Sequence, residues 1–247
     1  MRIKNTSIVG KGQYRYLIYI FCFFIALQFV CDILVLRLFK VGSLEFTASS
    51  IIFCLNFVLM DVVANVYGMK EARRLAFVNF FLQLFCGFAL YLFLIGFEPH
   101  VYQNANYQLI SAQLKAFGLL ISNNLLVIPF SVLLGNLCNA FFMSLSKYLL
   151  YGRFVGLRSL VCTAASAFVM LLTSYSKIYW DSGAPFIFHV VISSMVVKII
   201  GATLLMLPAQ YISYALKKSE GVDVYDLHFK FLAARQRRIL ELMQKRG

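Results

Sequence analysis

Six long apolar stretches occupy most of this 247-residue chain and leave it little choice but a lipid bilayer. They run over residues 16–36, 44–67, 74–97, 116–145, 157–180 and 186–216. Each reaches the roughly 20 residues that a helix needs to cross about 30 Å of hydrocarbon. Inside hydrocarbon every backbone N–H and C=O must be satisfied within the structure, which leaves helices or a closed barrel. The apolar residues run continuously rather than alternating, and that selects helices. A mean hydropathy of +0.79 and a charged fraction of 13% agree. The expected fold class is all-α, a polytopic membrane helical bundle with six transmembrane helices.

A net charge of +13 invites comparison with nucleic-acid binders, but its placement along the chain argues against that. Arg2, Lys4, Lys11 and Arg15 precede the first stretch; Lys70, Arg73 and Arg74 follow the second; Lys147, Arg153 and Arg158 flank the gap after the fourth. Eight more Lys and Arg follow residue 216. With six crossings all of these fall on one side, and only Arg37, Lys40, Lys115 and Lys177 fall on the other. The positive-inside rule then puts both termini in the cytoplasm. A nucleic-acid footprint would instead gather on one soluble face with stacking aromatics.

The chain divides into a cytoplasmic N-terminus (1–15), a six-helix membrane domain (16–216) and a basic tail (217–247). The first stretch runs past Val35 without a small-residue cleavage site, so it reads as a retained span. In the tail, Leu227, Phe231, Ile239, Leu242 and Met243 alternate with Arg235, Arg237, Arg238, Lys245 and Arg246. That pattern suits a partly amphipathic helix on an anionic leaflet. The longest connection, about 98–115, is rich in Asn and Gln and is expected outside with a short surface helix. Cys22, Cys31, Cys54, Cys86, Cys138 and Cys162 are scattered through apolar segments without C-x-x-C spacing. They read as packing residues, with no metal, cofactor or disulfide implied.

Ionisable residues within spans are costly and are the first functional candidates. Lys198 lies near the middle of the sixth stretch, thirteen residues after Pro185 and nineteen before Lys217, and calls for a partner. Asp32 in the first stretch and Asp61 in the second are the carboxylates within reach, and the three form a candidate charge set. Two readings stand: an ion pair that fixes helix register, or groups lining a substrate path. Around them are Gln28, Asn56, Asn65, Asn79, Gln83, Asn136, Asn139, Thr163 and Ser166. Amides carry donor and acceptor together, which suits a neighbouring helix or the edge of a heterocyclic base. Pro129 and Pro208 fall inside spans and are expected to kink them, as in transporters with broken helices.

The run Asp61-x-x-x-Asn65-x-Tyr67-Gly68-x-x-x-Ala72-Arg73-Arg74 resembles the D-x-x-x-[E]-x-[YF]-G-x-x-x-A-R-[RK] pattern of the queuosine precursor transporters, also called the VUT family. Lys198 followed by Pro208, the run Gly135-Asn136-x-x-Asn139 beside the family's G-Q-x-x-D, and Arg158 leading to Thr163 and Ser166 are similar too. The likeness spans about 45–225. The chain departs from it at Asn65, Ala167, Asn139 and Met170, where many members carry Glu, Gln and two Asp.

The resemblance implies a multi-pass protein of the bacterial inner membrane that imports a 7-deazaguanine such as preQ0 or preQ1, or queuine, for salvage into tRNA queuosine. It also implies a substrate site drawn from Asp61, Asn65, Asn136, Asn139, Thr163, Ser166 and Lys198. Carriage of another small heterocyclic or vitamin-like solute is the alternative, followed by a non-transporting assembly role. The partners are then the small-molecule base, the lipid bilayer and, as a candidate, a second copy of the chain. Catalysis is not expected: His100, His189 and His228 lie near span ends or in the tail, and neither G-x-S-x-G nor H-E-x-x-H occurs. Nor is there a G-x-x-x-x-G-K-[ST] loop for a nucleotide.

Overall fold

The computed structural model describes residues 14–35, 37–96, 105–150 and 154–224. Helix α1 (Leu17–Leu34) leads into a hairpin of β1 (Leu38–Val41) and β2 (Leu44–Thr47), followed by α2 (Ser49–Val66). Next come α3 (Met69–Tyr91), which continues as a π turn (Leu92–Gly96), and α4 (Ala105–Asn124). The chain then forms α5 (Val127–Leu149), α6 (Val155–Ile178), a 3₁₀ turn (Trp180–Ser182) and α7 (Ala184–Glu220). All of the helices except α4 are long and apolar enough to cross a membrane, which makes six among the described residues. The polytopic helical bundle is therefore present. The basic tail helix expected beyond residue 224 lies outside the described residues, as do His100 and His228.

Helix α2 is the axis of the bundle. It packs against α1, α3, α5 and α7 and touches α6. Of its apolar window 78% is buried, against 28% for α1 and 11% for α3. The outer helices turn Phe81, Phe85, Leu204 and Tyr211 outward, as a lipid-facing surface requires. Packing gathers in two clusters along α2. Met60, Val63, Tyr67, Leu75 and Met143 lie toward the end of α2 where Tyr14 and Val224 sit, here the terminal end. Phe53, Phe57, Leu171, Tyr175 and Val190 lie toward the hairpin end.

The connections explain several departures from the apolar pattern. The run expected to be one span over 116–145 is divided, with α4 ending at Asn124 and α5 starting at Val127. Asn123 and Asn124 interrupt the apolar run, and Pro129 sits in the first turn of α5, where a missing N–H costs nothing and no kink results. The second span starts at Ser49 rather than 44, because residues 38–47 pair as an antiparallel hairpin with Lys40 opposite Glu45. Pro208 does not break α7, which runs through it for 37 residues. At 1.5 Å per residue that is roughly 55 Å, so α7 projects beyond the hydrocarbon. Between α2 and α3 the chain reverses at Tyr67–Gly68, where Gly68 holds φ at +86°; a side chain would be strained in that left-handed region.

Helices α2 and α7 lie close together where Gly201 faces Cys54, and a Cβ at Gly201 would collide with the Cys54 thiol. Small residues at such crossings let backbones approach in the absence of a hydrophobic drive between helices. Replacing Gly201 with Val should therefore destabilise the bundle by about 1–3 kcal/mol through overpacking. The thermal midpoint in detergent should fall, and adding Cys54→Ala should restore part of it. An unchanged midpoint in Gly201→Val would show that the two helices are free to separate.

Candidate functional site

Helix α2 carries Asn56, Asp61 and Asn65 through the middle of the bundle, all three buried. A carboxylate there needs donors, and α5 and α6 supply them. Asn139 Nδ2 donates to Asp61 Oδ1 at 2.6 Å. On the other oxygen, Ser159 Oγ donates to Asp61 Oδ2 and Thr163 Oγ1 approaches the same atom at 3.5 Å. Ser166 Oγ donates to Asn139 Oδ1 at 3.3 Å, which closes the network. Ser159, Thr163 and Ser166 follow an i, i+4, i+7 spacing, which lines them up on one stripe of α6. One turn along α5 from Asn139, Asn136 is buried and its Nδ2 has no partner among the described residues. A small cavity of about 10 Å³ opens beside Asp61 and Ser159, walled by Met206 and Gln210 of α7.

Nearer the terminal end stands a second polar group. Arg158 Nη2 donates to Asn65 Oδ1 at 2.9 Å. Lys147, only 2% exposed, sends Nζ to the Asn65 carbonyl, to Asp223 Oδ1 and to the Val224 carbonyl, each at 2.6 Å. Lys217 shares Asp223 at 2.9 Å, and the Val224 N–H donates to the Val66 carbonyl at 3.1 Å. The segment after α7 is thereby strapped across the ends of α2 and α5.

Toward the hairpin end lies a cavity of about 20 Å³, bordered by Asp32, Ser49, Phe53, Ser131, Tyr175 and Lys198 among others. Lys198 Nζ rests over the Phe53 ring, 4.4 Å from its centroid, and 5.7 Å from that of Phe57. Ring faces attract a cation, more strongly when it is desolvated. The far wall is a hydroxyl cluster: Thr47 Oγ1 bonds Tyr175 OH at 2.7 Å, Ser49 Oγ at 2.9 Å and Ser50 Oγ at 3.1 Å. Tyr175 OH also lies 3.4 Å from Ser194 Oγ.

The residues singled out in the sequence thus fall into groups. Asp61, Asn139, Thr163 and Ser166 come together, with Asn136 one turn away. Asn65 belongs to the Arg158 and Lys147 group. Lys198 is separate from Asp61: it borders a cavity with Asp32 and makes no ion pair among the described residues, so the expected Asp61–Lys198 pair is absent. The physical reason is position, because Lys198 lies level with Cys54, whose thiol approaches the Lys198 carbonyl at 3.6 Å. Asp61 is two helical turns further along α2, about 10 Å away at 1.5 Å per residue. Ser159, Lys147 and Asp223 were not singled out. The i, i+4, i+7 stripe could have pointed to Ser159; Lys147 reads as an ordinary flanking charge until the fold buries it.

The family model for putative vitamin uptake transporters matches residues 47–213. The chain belongs to that family. No curated protein and no solved structure matches it. The matched residues hold every member of the Asp61 network together with Lys198, whereas α1 with Asp32 precedes them. Six apolar helices and membership of a transporter family make this a multi-pass membrane protein that handles a small molecule, and the family is not one of enzymes.

The strap after α7 has a measurable consequence. Partial burial pushes the Asp223 carboxyl up, but Lys147 and Lys217 outweigh it and hold the carboxyl below its ordinary value. A carboxyl depressed on folding contributes stability that is present above its unfolded value, near 3.8, and is lost as pH falls through the folded one. Asp223→Asn should lower stability at neutral pH by about 1.5–3 kcal/mol, the worth of a hydrogen bond to a charged group. Thermal unfolding of the two proteins in detergent should differ at pH 7 and still at pH 4, and converge only as pH falls below 3.8 through the lower folded value. A constant difference across that range would mean that Asp223 acts through packing alone.

Proposed function

We propose that the chain imports a queuosine precursor, a 7-deazaguanine such as preQ0 or preQ1, or queuine, across the bacterial inner membrane, with both termini in the cytoplasm. The observation that carries this reading is the Asp61 network: a buried carboxylate, an amide and three hydroxyls on three helices, with an unpartnered amide N–H one turn away at Asn136. A deazaguanine edge offers ring and exocyclic N–H donors beside a carbonyl acceptor. Asp61 suits the donors and the Asn136 Nδ2 suits the acceptor. Asn139, Thr163 and Ser166 orient the carboxylate and exchange their bonds for bonds to the base as it arrives. Lys198 and Phe53 supply a charge and an aromatic plane on the approach from the hairpin end. The run from Asp61 to Arg74, with its likeness to the queuosine precursor transporters, supports the same cargo.

The cavities are far smaller than a base, and polar clusters close both ends. This arrangement fits an occluded stage of alternating access, in which the hydroxyl cluster and the Lys147 strap act as opposing gates. Each gate consists of a few hydrogen bonds, which a rocking helix can exchange for water.

The test is the queuosine content of tRNA in a bacterium that neither makes the precursor nor has its own importer. Cells would be fed low preQ0, preQ1 or queuine in turn, with and without this chain. Restoration by one of the three is expected, and it names the cargo. Asp61→Asn should reduce it at least tenfold and Lys198→Met should abolish it, with both variants present in the membrane at the wild-type level. Failure with all three bases, with the wild-type protein in the membrane, would overturn this cargo in favour of another vitamin-like solute.

A further inference from the structure

Asp32 has surroundings unlike those of any other carboxylate in the described residues. Gln28 Nε2 donates to its Oδ1 at 2.8 Å and Gln83 Nε2 to its Oδ2 at 2.6 Å. Gln28 Oε1 in turn accepts from Asn56 Nδ2 at 2.9 Å, and Gln83 Oε1 from Asn79 Nδ2 at 3.1 Å. Two amide relays, built from α1, α2 and α3, therefore converge on one carboxylate. Their outer ends are the carbonyl oxygens of Asn56 and Asn79, both buried and both without a partner among the described residues. A fold rarely leaves a buried acceptor unpaired, and here it does so symmetrically on the two arms.

Asp32 makes no ion pair among the described residues, although Lys198 borders the same cavity, because the Lys198 ammonium is engaged over Phe53. The cavity's volume of about 20 Å³ admits a water or a bare monovalent ion and excludes any organic cargo. Hard cations take oxygen ligands; of the relay residues Asp32 alone borders the cavity, and Ser49, Ser131, Ser174 and Tyr175 line it with hydroxyl oxygens. An amide exchanges donor for acceptor by turning its terminal plane over, without moving a helix. If all four turn, Gln28 and Gln83 present oxygens beside Asp32, their N–H groups donate to the Asn56 and Asn79 oxygens, and the Asn N–H groups take the unpaired outer positions. The relays thus have one arrangement for a bare carboxylate and another for an occupied one.

We propose that Asp32, with Gln28 and Gln83 beside it and Asn56 and Asn79 behind, forms a sodium-ion site facing the Lys198 cavity. A single carboxylate opposite an ammonium supplies too little negative charge for a divalent ion. Protonation of Asp32 would need only one relay to turn, whereas both are built alike. Sodium binding draws α1, α2 and α3 together, and the Lys198 ammonium opposes it across the cavity. The ion and the cargo therefore occupy separate layers, and movement of Lys198 off Phe53 links them.

The experiment uses the full chain in lipid nanodiscs, without any cargo, and measures binding of radioactive sodium and the thermal midpoint in NaCl against choline chloride. Wild type should bind sodium saturably and melt higher in NaCl, since a ligand of the folded state raises its midpoint. Asp32→Asn should bind at least tenfold more weakly. Asn79→Leu, which removes only the outer amide of one relay, should weaken binding at least threefold while remaining monodisperse. Glu45→Gln, on the exposed hairpin, should match wild type. A monodisperse wild type with neither saturable binding nor a sodium-dependent midpoint would overturn the proposal. So would a midpoint that follows pH alone, which would assign Asp32 to a proton, or full binding by a folded Asp32→Asn. Because no base is present, these outcomes are independent of which cargo the Asp61 network carries.

Discussion

The architecture depends on a single electrostatic constraint: Asp61 crosses the middle of the bundle on the most buried helix. A buried carboxylate without partners costs several kcal/mol, on the scale of the roughly 5–15 kcal/mol that holds a domain together. Asp61 is satisfied from α5 by Asn139 and from α6 by Ser159 and Thr163, so those helices must present these faces to α2 and no others. Rotating α6 by one residue, about 100°, would turn the whole Ser159, Thr163 and Ser166 stripe away. Apolar packing between helices in lipid has little directional preference, so the carboxylate fixes the register that Leu, Val and Phe contacts leave open.

Much of this could be read from the sequence, and the rest could not for identifiable reasons. The six spans follow from length and hydropathy because hydrocarbon imposes its own thickness on the chain. The Asp61 neighbourhood was legible as well, since polar residues are so costly at depth that almost any found there has a role. Hydropathy, however, does not distinguish an apolar strand from the start of an apolar helix. The hairpin was hidden in the run 44–67, although Gly42–Ser43 between alternating residues is a two-residue turn signal, and Gly42 indeed holds φ at +61°. The division at Asn124 was masked in the same way by the apolar run on either side. Which charges meet was not legible: Lys198 and Asp61 are both deep, and only the fold shows that two helical turns of α2 separate their levels. Lys147 illustrates the converse, a residue that topology rules count as exposed flanking charge and that packing buries under Asp223.

The polar residues form layers. From the hairpin end come the hydroxyls of Thr47, Ser49, Ser50 and Tyr175, then the cavity between Asp32 and Lys198, then the Asp61 network, and last the strap of Lys147, Asp223 and Val224. The first two adjoin, since Ser49 and Tyr175 border the Asp32–Lys198 cavity of about 20 Å³, and the cavity beside Asp61 is only about 10 Å³. A continuous polar channel would leak protons and ions. Separate polar stations divided by packed side chains let each ligand be dehydrated against built-in partners before the next barrier opens.

Helix α7 is the element best suited to couple those layers. It carries Lys198 at the upper cavity and Gln210 beside Asp61, and its last residues lead into the strap held by Lys147. It crosses all the levels as one continuous helix, Pro208 included. Because Gly201 allows α7 to lie directly against Cys54 of α2, a small pivot at that contact shifts the two ends in opposite senses. Lys198, one turn from that contact, lies at the pivot and would move little in a tilt, whereas Gln210 and the Asp223 strap lie further along and would move more. A tilt of α7 would thus act on the Asp61 layer and on the strap together, through one helix and without a chain of side-chain contacts between them.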